Sequence, residues 1–252
     1  MNSILADYLG RYKPAKPFPK VDLSTFFTAL PLDQVSTKLP FLFNIENFCL
    51  RLLIAMQNNE RICIYSDYDT DAVTATGVAY HGLLELGFLP ENLDFYAPDR
   101  FTEGYGMNTE AVEMLTTKFD LIISVDCGIN SVLEAKICQN TTCDLIITDH
   151  HHLADQVPDC VAVINPRLSE YYYTNSKELK KINSKLLKQV QKTLPKKRFD
   201  SMKSWLESVS KNPAEYESNY DILLSYSVTG VGVAWFSLLW LAYFLEVVEW
   251  QW

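Results

Sequence analysis

Basic residues are in short supply. The 252-residue chain carries 22 Lys and Arg against 31 Asp and Glu, a net charge of −9. That balance argues against a generally basic nucleic-acid binder, and it leaves room for a site built from acids. Histidine is rarer still, with four residues. The six cysteines (Cys49, Cys63, Cys127, Cys138, Cys143 and Cys160) show no closely paired spacing. They read as reduced, mostly buried thiols of a cytoplasmic protein rather than a disulfide framework. The first residues lack a basic patch followed by an apolar core, so no secretory leader is expected. The 18 residues from Val228 to Leu245 carry no charge, at the end of a longer uncharged run. This segment opens on Thr229-Gly230-Val231-Gly232 and is followed at once by Glu246, which favours a glycine-rich turn and a buried helix over a membrane span. There is no internal repeat and no low-complexity tract.

What the chain does have is concentrated. Three of its four histidines stand together in Asp149-His150-His151-His152, directly after the apolar run Leu145-Ile146-Ile147-Thr148. Two further runs end the same way. Arg61–Ser66 leads into Asp67-Tyr68-Asp69-Thr70-Asp71, and Leu121–Val125 into Asp126-Cys127-Gly128. Polar residues at the carboxyl ends of buried strands are where an α/β sheet places its active site. Carboxylates and imidazoles converging there suit a divalent cation such as manganese, magnesium, iron or zinc. Helix capping explains one acid per strand end. It does not explain three acids at alternate positions, whose charges repel unless a cation neutralises them.

Strands and helices alternate around these runs. Residues 44–58 read as a helix with Asn44 as its N-cap. Strands are expected at 61–66, 93–97, 121–125, 145–148 and 161–164. Helices are expected near 72–86, closed by Gly87, and near 108–117 and 130–140. Near-continuous apolar strands in alternation with helices mean an α/β fold: a parallel sheet with helices on both faces. An extended, proline-bearing arm precedes it over 1–40. A core spans 41–167, a helical basic insertion 168–225, and a C-terminal helix 226–252. From Arg167 to Pro213 there are twelve basic and four acidic residues, a local balance of +8 that leaves −17 for the rest. Ile182, Leu186, Val190 and Leu194 recur as one apolar face there, with lysines outside it.

The acidic motifs, taken in order, resemble motifs I, II and III of the DHH phosphoesterases. Pro98-Asp99-Arg100-Phe101-Thr102-Glu103-Gly104-Tyr105-Gly106, Asn165-Pro166, Thr229–Ala234 and Pro40-Phe41-Leu42 narrow the resemblance to the RecJ branch. It runs over about 38–167 and resumes near 226. The resemblance implies a hydrolase that degrades single-stranded DNA from 5′ to 3′, releasing mononucleotides, with two Mn²⁺ or Mg²⁺ ions, in DNA repair and recombination. It implies Asp69, Asp71, Asp126 and His150 as metal ligands, with Asp67 as an outer partner. It also implies His151 at the scissile phosphate and Asp149 behind the imidazoles. The basic stretch itself has two readings, a solvated helical insertion and a phosphate-backbone contact beside an acidic cleft; on the second, Lys180, Lys181, Lys185 and Lys188, with Arg100, would contact nucleic acid. Two alternatives share the fold: a phosphodiesterase for short oligonucleotides or cyclic dinucleotides, and an inactive binding or scaffold module.

The sequence also departs from the branch. Ala72 stands where a glycine is usual, Tyr65-Ser66 replaces a small or histidine-containing pair, His152 is an extra histidine, and the stretch 168–225 is long. The branch continues beyond the position of Trp252 to a motif IV aspartate and a DHHA1 domain. A C-terminal half or a second chain is therefore expected to supply these. The polypeptide alone is expected to turn over little or no DNA, and no membrane partner is expected.

Overall fold

The computed structural model describes residues 42–153, 155–168, 183–211 and 228–247. The arm of 1–40, Pro40-Phe41, Lys180, Lys181 and Ile182 lie outside the described residues. Five strands form one parallel sheet: β1 (Ile62–Ser66), β2 (Leu93–Tyr96), β3 (Leu121–Val125), β4 (Asp144–Thr148) and β5 (Ala162–Ile164), in the order β2-β1-β3-β4-β5. The helices are α1 (Ile45–Asn58), α2 (Thr70–Glu85), α3 (Thr109–Thr116), α4 (Val132–Gln139), α5 (Ser184–Thr193), α6 (Lys196–Lys211) and α7 (Gly230–Val247). Each observed strand lies within one or two residues of its expected span.

The strand order fixes where the helices go. The connection through α2 runs from β1 to its neighbour β2, while those through α3 and α4 run the other way across the sheet. Right-handed crossovers in opposite directions put their helices on opposite faces. Accordingly α3 packs with α4 on one face, and α7 packs with α2 and α1 on the other. All five residues of β1 and of β3 are buried, as an apolar run covered on both sides requires. The connections reverse direction between β1 and β3, and the carboxyl ends of those two strands therefore flank the crevice in which such sheets bind ligands.

Local chemistry sets the helix ends. Asn108 caps α3, its side-chain oxygen accepting the Ala111 amide at 2.7 Å. Helix α2 stops in a Schellman turn: Gly87, at φ 91°, donates to Leu84 O, and Phe88 donates to Leu83 O. Phe88 and Leu83 are both buried beneath that turn. Asn44 precedes α1 in a left-handed conformation, but its side chain makes no cap. Instead Asn44 Oδ1 accepts from Asn47 Nδ2 at 2.7 Å. Helix α7 begins at Gly230 itself, so the expected glycine turn is the helix's first turn. Among the described residues, no helix is long and apolar enough to cross a membrane. The six cysteines are free thiols, five of them buried.

One polar tie crosses the lower edge of the core. Arg51 of α1 is buried, with Nη1 2.6 Å from Glu60 Oε2 and Nε 2.6 Å from Asp144 Oδ2, and its Nη2 donates to Asp120 O at 3.2 Å. It thereby joins the amino ends of β1, β3 and β4. Arg51→Ala is expected to destabilise the protein by roughly 3 kcal/mol, the low end for a broken buried pair because Asp144 is partly exposed. Urea unfolding would read this as a lowered midpoint, whereas an unchanged midpoint would contradict it.

Candidate metal centre

Sheet register lines up the site. Ser66 pairs with Val125, Val125 with Thr148, and Thr148 with Ile164. The next residue on each strand is therefore level with the others: Asp67, Asp126, Asp149 and Asn165. All four are buried. The ladder continues one bond further, with Asp126 N donating to Thr148 O and Asp149 N to Ile164 O, both at 2.9 Å. These last bonds aim the carboxylates into the crevice.

Asp149 is fully engaged. Its Oδ1 accepts from His150 N at 2.7 Å, His151 N at 3.0 Å and His151 Nδ1 at 2.7 Å, and its Oδ2 accepts from Ile129 N at 2.9 Å. Burial pushes its pKa up, but the bonds from His151 and Ile129 together hold it below the usual carboxylate value. The same contact raises the His151 imidazole. Asp149 therefore orients His151 and leaves Nε2 facing the cleft, 3.1 Å from Tyr105 Oη. Burial and the nearby charges of Asp67, Asp149 and Asp126 push Tyr105 up to about 12, so its hydroxyl stays a donor. Behind the histidines, Asn165 Nδ2 donates to His151 O and Arg167 Nε to His150 O, both at 3.1 Å.

Asp126 and Asp67 are the opposite case. Both oxygens of Asp67, and Oδ1 of Asp126, are buried without a hydrogen bond of good geometry. Burial pushes Asp126 upward; His150 Nε2, 3.1 Å from Oδ1, partly offsets this, while Asp71 and Asp69 add to it. Burial also raises Asp67, the nearby Tyr68 amide opposes that, and Asp69 raises it further. Asp126 is held at φ 59°, a left-handed backbone that costs energy for a non-glycine residue and is characteristic of functional sites. Buried, mutually repelling carboxylates with unused lone pairs are what a cation relieves. One ligand atom each from Asp126, His150 and His151 lie within 4.8 Å of one another. These residues fit a hard or borderline divalent ion.

The motif I acids divide their work. Asp69 caps α2, its Oδ1 accepting the Ala72 amide at 2.9 Å, and it is exposed. Asp71 receives the start of α7: Gly230 N donates to Oδ2 at 2.8 Å and Val231 N to Oδ1 at 2.9 Å. Its Oδ2 is 3.8 Å from His150 Nε2, at the edge of the same cluster. Asp71, Asp126, His150 and His151 thus come together, while Asp67 lies behind and Asp69 on the rim. Arg100 is exposed and stacks on Tyr68 at 5.2 Å, beside Tyr105. His152 lines a cleft of about 560 Å³ with Tyr105, Asp149, His151 and the 127–134 turn. Lys185 and Lys188 are exposed on α5. The sequence reading did not assign Tyr105 or the Gly230 and Val231 amides to the site. Tyr105 carried a signal, since it sits in the 98–106 segment; the amides carried none beyond the glycines.

Gly230 has a steric reason to be glycine. A Cβ there would lie 2.2 Å from Asp126 Oδ1 and 2.4 Å from its Cγ. Gly230→Ala is expected to displace Asp126 and weaken Mn²⁺ binding at least ten-fold while the far-ultraviolet dichroism stays native. An electron paramagnetic resonance titration showing wild-type affinity would refute that placement.

The DHH family's N-terminal-domain model matches residues 61–201, more than half of the chain. The single-stranded-DNA-specific exonuclease RecJ of Bacillus subtilis is 45% identical over 118 residues, 46% of this chain and 15% of that protein. RecJ of Salmonella typhimurium is 34% identical over 142 residues, 56% of this chain and 23% of that protein. The chain therefore spans less than a quarter of the length of either relative. The solved structure of RecJ from Thermus thermophilus in complex with Mn²⁺ has a TM-score of 0.53 at 22% identity, covering 82% of this chain and 22% of that one. That likeness concerns the fold.

Proposed function

The chain belongs to the DHH family, and on that footing we propose that it is the catalytic lobe of a RecJ-like phosphodiester hydrolase that acts on single-stranded DNA from 5′ to 3′. The observation that carries this reading is the set of buried, incompletely paired carboxylate oxygens on Asp67 and Asp126 beside His150 and His151. Structural ion-pair networks leave few such oxygens bare. Asp126, His150, Asp71 and Asp69 would hold two divalent cations, Mn²⁺ being the first to test because a solved RecJ carries it. Bound there, the ions would lower the pKa of a water and neutralise charge gathering on the phosphate.

The chain's own residues do the rest. Asp149 takes the Nδ1 proton of His151 in a hydrogen bond and so fixes the tautomer. His151 Nε2 then faces the position of a phosphate oxygen, with the Tyr105 hydroxyl beside it as a second polar group. Loop 99–108 holds Tyr105 in place. Glu103 accepts from the Tyr96 hydroxyl and from Asp99 N, and Tyr65 Oη donates to Gly106 O at 3.1 Å. The three rings of Tyr68, Tyr105 and His151 form an edge-to-face row that offers a base something to stack on.

Cleavage of a 5′-labelled single strand, of a dinucleotide and of bis(p-nitrophenyl) phosphate in Mn²⁺, by the chain with a RecJ C-terminal half added because the chain alone is expected to turn over little or no DNA, tests the reading. Asp126→Ala is expected to reduce each rate at least a thousand-fold, with the single strand preferred over the dinucleotide. Preference for the dinucleotide would favour the short-oligonucleotide enzyme. Absence of Mn²⁺-dependent cleavage of all three would leave the binding module.

A further inference from the structure

We propose that the helix pair α5–α6 is a docking surface for the backbone of single-stranded nucleic acid, formed by residues outside the metal centre. The two helices are joined by Leu194-Pro195 and share one apolar side, on which Leu186, Val190, Leu194, Phe199, Met202 and Leu206 are buried. That side already has its partners: α5 packs on α1, and α6 on α5 and α7. Two polar ties fix α5 further, Asn183 N donating to Asn47 Oδ1 at 3.0 Å and Thr193 Oγ1 to Gln57 Oε1 at 2.7 Å. The opposite side is therefore held rigidly and takes no part in building the core.

That opposite side is basic. Residues 184–211 hold eight Lys or Arg and two acids in a chain of net charge −9. Lys185, Lys188, Lys192, Lys196 and Lys203 are exposed and form no ion pair among the described residues. A solvated helix normally intersperses acids with its lysines, gaining from pairs three and four residues apart. Helix α5 contains no acid at all, and its Lys185, Lys188 and Lys192 sit three and four residues apart, where like charges disfavour the helix. Lysines 185 to 192 run along roughly 10 Å of helix. This unscreened row complements a regular line of phosphates, which also releases counterions when bound. The choice of ligand rests on the phosphodiester reading above, but the surface itself does not require the metals.

The test uses the full chain with EDTA, so that binding is measured apart from turnover. A fluorescent single-stranded oligonucleotide is titrated by anisotropy at several salt concentrations. Replacing Lys185, Lys188, Lys192 and Lys196 together by Gln is expected to weaken binding more than ten-fold. It should also flatten the log–log salt slope by about 2 to 3, at about 0.7 per lost phosphate contact. Lys118→Gln with Lys136→Gln, exposed lysines elsewhere, should change little. Unchanged affinity in the fourfold variant, an equal loss in the control, or no binding by the wild type would overturn the proposal. So would displacement of the oligonucleotide by poly-glutamate at equal charge, which would point to an acidic protein instead. Cation-dependent cleavage by the fourfold variant reports on the metal centre alone, so the two readings fail separately.

Discussion

Repulsion among carboxylates at the carboxyl ends of adjacent parallel strands is the constraint on which the rest of this structure depends. Parallel pairing in register brings Asp67, Asp126 and Asp149 level with one another, and the strand order opens a crevice between the first two. Burial there raises the cost of every charge. The protein meets that cost for Asp149 with four hydrogen bonds and for Asp71 with two backbone amides. It leaves Asp67 and Asp126 incompletely met. The asymmetry distinguishes acids whose charge the protein compensates from acids whose charge it leaves largely uncompensated. Asp149, with its pKa held down, is a fixed anchor for His151, while Asp67 and Asp126, with their pKa values pushed up, are the acids that the protein's own hydrogen bonds compensate least.

Much of this was legible in the sequence because its signals are local. β1, β3 and β4 are short, mainly apolar runs, and each leads into an acid, so their spans and their convergence followed from pattern alone. Asn108 opens α3 and Gly87 closes α2 by chemistry that extends over three to five residues. Asn44 showed the limit of that reasoning. Its residue type suits a cap, but a left-handed backbone turned its side chain toward Asn47. Capping accounts for one acid per strand end, and in the first motif that acid is Asp69, whose bond to the Ala72 amide uses one of its oxygens.

Long-range contacts were not legible. Asp71 and Gly230 are 159 residues apart in the chain, and no periodicity links them. Tyr105 likewise reaches His151 across 46 residues through a loop that depends on Glu103, Tyr96 and Tyr65 for its shape. A sequence pattern reports which residues share a face or a turn. It does not report which loop will lie over a strand end, because that depends on the crossover path and on what the intervening helices bury.

The junction of α7 with the motif I loop shows how such a contact can serve both fold and chemistry. A helix start carries partial positive charge and bare amide donors, and Asp71 supplies the anion they need. This draws α7 down until Gly230 touches Asp126, so the same contact that caps the helix start also packs it against the acid at the centre of the cluster. Engagement by amides does not exhaust the acceptor capacity of Asp71. Each carboxylate oxygen has two lone pairs, and one amide uses one of them. The amides instead fix where the remaining lone pairs point. A ligand set whose acids are already oriented loses less freedom on binding an ion than one that must be gathered, and here the orientation is supplied by a helix whose apolar body is buried against α2 and α1.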